Sequence, residues 1–84
     1  MNNLHYLCRE SKFILGMNKE INRIKIILVE KHRTGKWLAE RLHKDPTTVS
    51  KWCTNSTQPQ LETLLQIAGV LDCDIKDLLI STKL

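Results

Sequence analysis

The sequence predicts an all-α domain of five helices, and three observations predict it. From Lys19 onward, apolar residues recur at spacings of three and four, the period of one helix face. Thr34, the pair Asp45-Pro46 and Asp74 each stand directly before such a run, where the open N–H groups of a helix start need an acceptor. No strand pattern of any length competes, except in the first residues of the chain. A chain of 84 residues has room for one modest core and none for a second domain.

The elements follow in order. Residues 1–18 read as an N-terminal arm, with Leu4, Tyr6, Leu7, Phe13, Ile14 and Leu15 in no clear period. Two accounts of it stand side by side: an arm that packs on the domain or a partner, or an extension ahead of a natural start at Met17. Residues 19–80 form the domain and 81–84 a tail expected to fray. The first helix is expected from about Lys19 to His32, with Ile21, Ile24 and Leu28 on one face and Ile27 beside them. Ile26 and Val29 widen that apolar surface; they would cover the arm or a dimer partner, or stand exposed as single apolar residues commonly do.

Thr34 caps a second helix, Gly35–Leu42, with Leu38, Ala39 and Leu42 inward and Trp37 over the edge of the core. Asp45 caps a third, Pro46 to about Cys53, because proline in the first helical position lacks only an N–H that the helix does not use. Val49 and Trp52 are its buried face; Thr47, Thr48, Ser50 and Lys51 look outward, with Asn55 ending it in the left-handed conformation. The polar loop 54–60 leads to a fourth helix of about Leu61–Leu71, marked by Leu61, Leu64, Leu65, Ala68 and Leu71. Asp74 caps a last short helix, Ile75–Leu79, with Ile75, Leu78 and Leu79 inward.

Composition narrows the function. The net charge of +4 is uneven: residues 31–51 hold six Lys/Arg against two acids, and residues 60–84 hold two against four. A basic middle suits a polyanion. The three cysteines and three histidines fall at no metal-ligand spacing, and the odd cysteine count fits a reducing compartment, so no metal or cofactor is expected. No segment approaches the length of a membrane span, and the N-terminus is a poor signal peptide. No acid pair, Ser/His/Asp set or Cys/His pair is spaced for a cleft, so the chain is not expected to be an enzyme.

Two short helices joined by a tight turn make a helix-turn-helix by length and polarity. The run TGKWLAERLHKDPTTVSKW resembles the helix-turn-helix of the Cro and phage-repressor type, the XRE family, and QPQLETLLQIAGVLDCDIKDLL resembles that family's fourth and fifth helices. The match covers about Asn22–Leu79, carried by Leu38-Ala39, Val49–Trp52 and Pro59–Leu64. The resemblance implies a lambda-repressor-like fold, double-stranded DNA as partner, a homodimer, and a cytoplasmic, nucleoid-associated protein of bacterial or phage origin.

The resemblance also implies roles for residues. Pro46, Thr47, Ser50 and Lys51 would face base edges, with Lys51 donating to guanine O6/N7. Thr34, Gly35, Lys36, Lys44, Thr48, Thr54 and Ser56 would face phosphates. Two positions depart from the family pattern besides Pro46, which stands where some members read bases. Gly35 replaces a common glutamine, keeping only its backbone N–H for a phosphate, and Asn55 replaces a common glycine, a mild change. The implied function is a sequence-specific transcriptional regulator, a repressor that occupies an operator as a dimer. The alternatives are the antitoxin of a toxin pair, binding a toxin protein through Ile26, Val29 and the arm, or a protein-interaction module that has kept the fold.

Overall fold

Residues 20–82 are described by the computed structural model; the expected arm, the Lys19 start and the last two residues of the tail lie outside them. Four α-helices follow one another: α1 (Ile24–Glu30), α2 (Gly35–Leu42), α3 (Pro46–Cys53) and α4 (Leu61–Leu71), with a 3-10 turn at Ile75–Leu78. The bounds of α2, α3 and α4 match the expected ones. Their caps are in place: Thr34 Oγ1 accepts from Trp37 N–H at 3.0 Å, Asp45 Oδ1 from Thr47 N–H at 2.9 Å, and Asp74 Oδ1 from Lys76 N–H at 3.1 Å. The core gathers Ile24, Ile27 and Leu28 of α1, Leu38 and Ala39 of α2, Val49 and Trp52 of α3, Leu64, Ile67, Ala68 and Leu71 of α4, and Leu78.

All four α-helices end alike, and without glycine. His32, His43, Asn55 and Asp72 hold the left-handed conformation, with φ of 58°, 57°, 62° and 54°. The next residue then donates back to a carbonyl five positions earlier: Arg33 to Leu28, Lys44 to Ala39, Ser56 to Lys51 and Cys73 to Ala68, at 2.8–3.0 Å. This satisfies carbonyls that a helix end leaves open, and histidine, asparagine and aspartate are among the side chains that tolerate the geometry best.

Three expectations need correction. The first helix is shorter than Lys19–His32, because the chain before Ile24 pairs with the C-terminus. Arg23 N–H donates to Leu78 O at 2.7 Å and Ile80 N–H to Ile21 O at 2.9 Å, forming an isolated antiparallel bridge between Asn22 and Leu79. Ile21 is consequently 44% exposed and not on the core face. The fifth helix is a four-residue 3-10 turn, since Leu79 leaves it extended to make that same bridge. On α4, Leu61 and Leu65 are 73% and 61% exposed, and Ile67 fills the core position instead. Leu64, Ile67, Ala68 and Leu71 form one face at spacings of three and four; Leu61 and Leu65 lie on its flank.

Asn22 is the one buried polar residue among those described, 4% exposed, and every polar group of its side chain is used. Its Nδ2 donates to Trp52 O at 3.0 Å and to Gln58 Oε1 at 2.7 Å, and its Oδ1 accepts from Ile24 N–H at 3.0 Å, serving the first turn of α1. Asn55 completes the clamp: its Oδ1 accepts from the N–H groups of Ile21 and Asn22 at 2.8 and 2.9 Å. The chain entering α1 is thus tied to the end of α3.

Removing one side of this clamp strands its partners, at about 1–3 kcal/mol for each group left buried and unsatisfied and less for the exposed Ile21 N–H. Asn22→Ala is expected to lower unfolding free energy by about 2–4 kcal/mol in urea titrations. Asn55→Gly relaxes the left-handed backbone yet is expected to lose about 1–2 kcal/mol, because two N–H groups lose their acceptor. A neutral or stabilising Asn55→Gly would show that the backbone term outweighs the clamp.

Candidate nucleic-acid interface

The exposed side of α3 follows from its buried side. Val49 is fully buried and Trp52 is 6% exposed, which turns Pro46, Thr47, Ser50 and Lys51 outward, all exposed. Pro46 and Ser50 stack one turn apart, as do Thr47 and Lys51. Thr48 is half-buried on the flank. The surface therefore carries two short hydroxyls, one cation and a proline ring, with no carboxylate among them.

The start of α2 lies beside this face. α2 packs on α3 more extensively than any other pair of elements packs together. An open groove of about 380 Å³ runs between them, lined by the cap Thr34, by Gly35 and Lys36 of α2, by Pro46, Ser50 and Cys53 of α3, by Lys25, Leu28 and Val29 of α1, and by Arg33. The N–H groups of Gly35 and Lys36 make no hydrogen bond among the described residues, while the next, Trp37 N–H, is held by the Thr34 cap. Free N–H groups at the positive end of a helix, ringed by three cations, form a surface that suits an anion.

Of the residues expected at phosphates, Thr34, Gly35 and Lys36 meet Pro46 and Ser50 in this groove. Lys44 stands exposed in the turn between the helices, outside the groove lining. Thr54 and Ser56 lie just past α3 and bond to each other, Oγ1 to Oγ at 2.9 Å, with Thr54 Oγ1 also donating to Lys51 O at 3.2 Å. Asp45, the acid nearest α3, is occupied as its cap. Among the described residues no lysine or arginine forms an ion pair, so the cations of this face carry uncompensated charge.

Lys25 and Arg33 were not singled out by the sequence. Nothing local marks them, since their place beside the groove comes from the packing of α1 and the α1–α2 turn. Cys53, half-buried in the groove, has its thiol pushed up by burial, with Lys25 pulling the other way; the protonated thiol is a packing group and a poor nucleophile. Cys73 is raised likewise by burial and then by Asp77. No group of three His, Cys, Asp or Glu among the described residues could hold a metal ion, and no described helix is long and apolar enough to cross a membrane.

Comparison with known proteins agrees with this geometry. The helix-turn-helix family matches residues 24–78. The chain is similar to a "putative DNA-binding protein" from Bacteroides fragilis, known from a crystal structure: 45% identity, a TM-score of 0.71, and coverage of 71% of this chain and 97% of that one. A search of curated proteins finds no match.

Gly35 is not sterically required. A Cβ there would sit 3.7 Å from Val49 Cγ1 and 3.8 Å from Cys53 Sγ, ordinary contact distances. Gly35→Ala is therefore expected to raise stability by about 0.4–1 kcal/mol through the unfolded chain, while leaving the N–H in place. A loss of stability in urea denaturation would mean that the groove cannot accept a methyl group.

Proposed function

Because the chain belongs to the helix-turn-helix family of the XRE type, we propose that it is a sequence-specific DNA-binding transcriptional regulator, acting as a homodimer that occupies an operator and represses. The observation that carries this reading is the exposed face of α3 beside the start of α2, where the Gly35 and Lys36 N–H groups make no hydrogen bond among the described residues. With α3 in the major groove, Thr47, Ser50 and Lys51 are the groups that read base edges, and Pro46 meets them by contact alone. Lys51 donates to guanine O6/N7; the hydroxyls donate or accept; threonine methyls meet thymine methyls. The N–H groups of Gly35 and Lys36, with Thr34, Lys36, Lys44, Thr48, Thr54 and Ser56, hold the sugar-phosphate strands and fix the register. The similarity to a protein described as DNA-binding supports this reading.

On this reading the protein works in the cytoplasm, on bacterial or phage DNA, without a cofactor and without catalysis. A second reading, the antitoxin, adds a toxin protein as partner. Its support is the exposed apolar side chains Ile26 and Val29 of α1 and Leu61 and Leu65 of α4, which a second copy or a toxin would cover.

The test is selection from a pool of randomised duplex DNA at two salt concentrations, with wild type and Lys51→Ala. Wild type is expected to enrich one sequence and to lose affinity steeply with salt. Lys51→Ala is expected to lose about 1–3 kcal/mol at one base position while keeping its non-specific affinity nearly unchanged. Weak, sequence-blind binding by both proteins would overturn the reading.

A further inference from the structure

We propose that Arg33, Trp37 and Arg41 form a stacked contact for the phosphodiester backbone of the same duplex, beyond the groove between α2 and α3. The inference rests on the DNA reading above and extends it from Arg33, which lines the groove, to Trp37 and Arg41, which that reading does not use.

Two guanidinium groups gather on one indole. The Arg33 guanidinium carbon lies 4.6 Å from the centroid of the Trp37 ring, and that of Arg41 lies 5.7 Å from it. Both are within the range in which a cation is attracted to an aromatic face. Stacking uses the flat face of a guanidinium and leaves its edge donors turned away from the ring. Two arginines that would otherwise sample many rotamers are thereby held in place. Phosphate oxygens are recognised by guanidinium edges, in the bidentate manner that a fixed plane favours.

The charge is uncompensated. Neither arginine has an ion-pair partner among the described residues, although Asp72 lines the same hollow, together with Lys31, Val70 and Leu71. Lys31 Nζ is engaged with Asp72 O at 3.3 Å, which turns that cation toward a backbone carbonyl and leaves the two arginines as the open donors.

Position selects the partner. Arg33 lines both this hollow and the groove that holds Gly35, Lys36, Pro46 and Ser50, so the two basic surfaces share a wall. A strand whose phosphate meets the start of α2 continues over Arg33 toward Trp37 and Arg41. Two arginines gather over the indole, which leaves less of the ring open to an unpaired base; the contact suits the backbone of a duplex. It would add affinity without reading sequence.

The experiment compares the salt dependence of binding to the selected duplex for wild type, Arg33→Gln/Arg41→Gln and Lys76→Gln. Lys76 lies in the 3-10 turn, outside the lining of both basic surfaces, and its variant shows the effect of removing one remote positive charge, half of what the double variant loses. Each phosphate contact contributes about 0.9 to the slope of log affinity against log salt. The double variant is expected to lose roughly 1–2 from the magnitude of that slope, by the same rule, with its preferred sequence unchanged, and Lys76→Gln to match wild type. Circular dichroism and thermal melts of each variant confirm that it folds. A slope in the double variant equal to that of Lys76→Gln overturns the stacked contact while leaving the DNA reading intact. Failure of wild type to bind any duplex overturns both.

Discussion

The rotation of α3 about its own axis is the constraint on which the rest depends. Val49 and Trp52, one turn apart, are both drawn into the core, and a helix of eight residues with two buried anchors has one orientation left. Its ends are held as well. Asp45 accepts from its first turn, and the Trp52 carbonyl near its end receives the Nδ2 of Asn22. Each of these is an interior or capping interaction, yet together they decide which side chains meet the outside. The polar face of α3 is thus a consequence of the core and is not held by contacts of its own.

The helix ends differ in how far their backbone groups are satisfied. Each α-helix closes its C-terminus with a left-handed residue and a bond back to the preceding turn. The N-termini of α3 and the 3-10 turn are served by aspartates. At α2 the Thr34 hydroxyl serves Trp37 alone, and Gly35 and Lys36, whose N–H groups make no hydrogen bond among the described residues, line the groove. Unmet donors thus stand beside cations without an ion-pair partner among the described residues, as they do not at α4, whose start also lacks a side-chain cap but lies outside the basic groove.

What could be read from the sequence was what local chemistry encodes. A threonine before α2, and an aspartate and proline before α3, mark their own starts, so both helices and the outward set Thr47, Ser50 and Lys51 were legible. The beginning of α1 was not, because Asn22 is removed from the helix by partners thirty or more residues away in Trp52, Asn55 and Gln58. For the same reason Asn55 read as a mild replacement for glycine, although its side chain holds two N–H groups of the entering chain. On α4 the period was right and its phase was offset: five apolar residues at helical spacing admit two faces, and the packing of Ile67 chose between them. Lys25 and Arg33 reach the groove only through the packing of α1, which no spacing reveals.

The most direct test of the central claim, that the face of α3 and the start of α2 meet DNA together, is amide chemical-shift mapping of the labelled protein with its selected duplex. Shifts concentrated at Thr34–Lys36, across Thr47–Lys51 and at Thr54–Ser56 are the predicted result. Shifts centred on Leu61 and Leu65, with α3 unmoved, would contradict it.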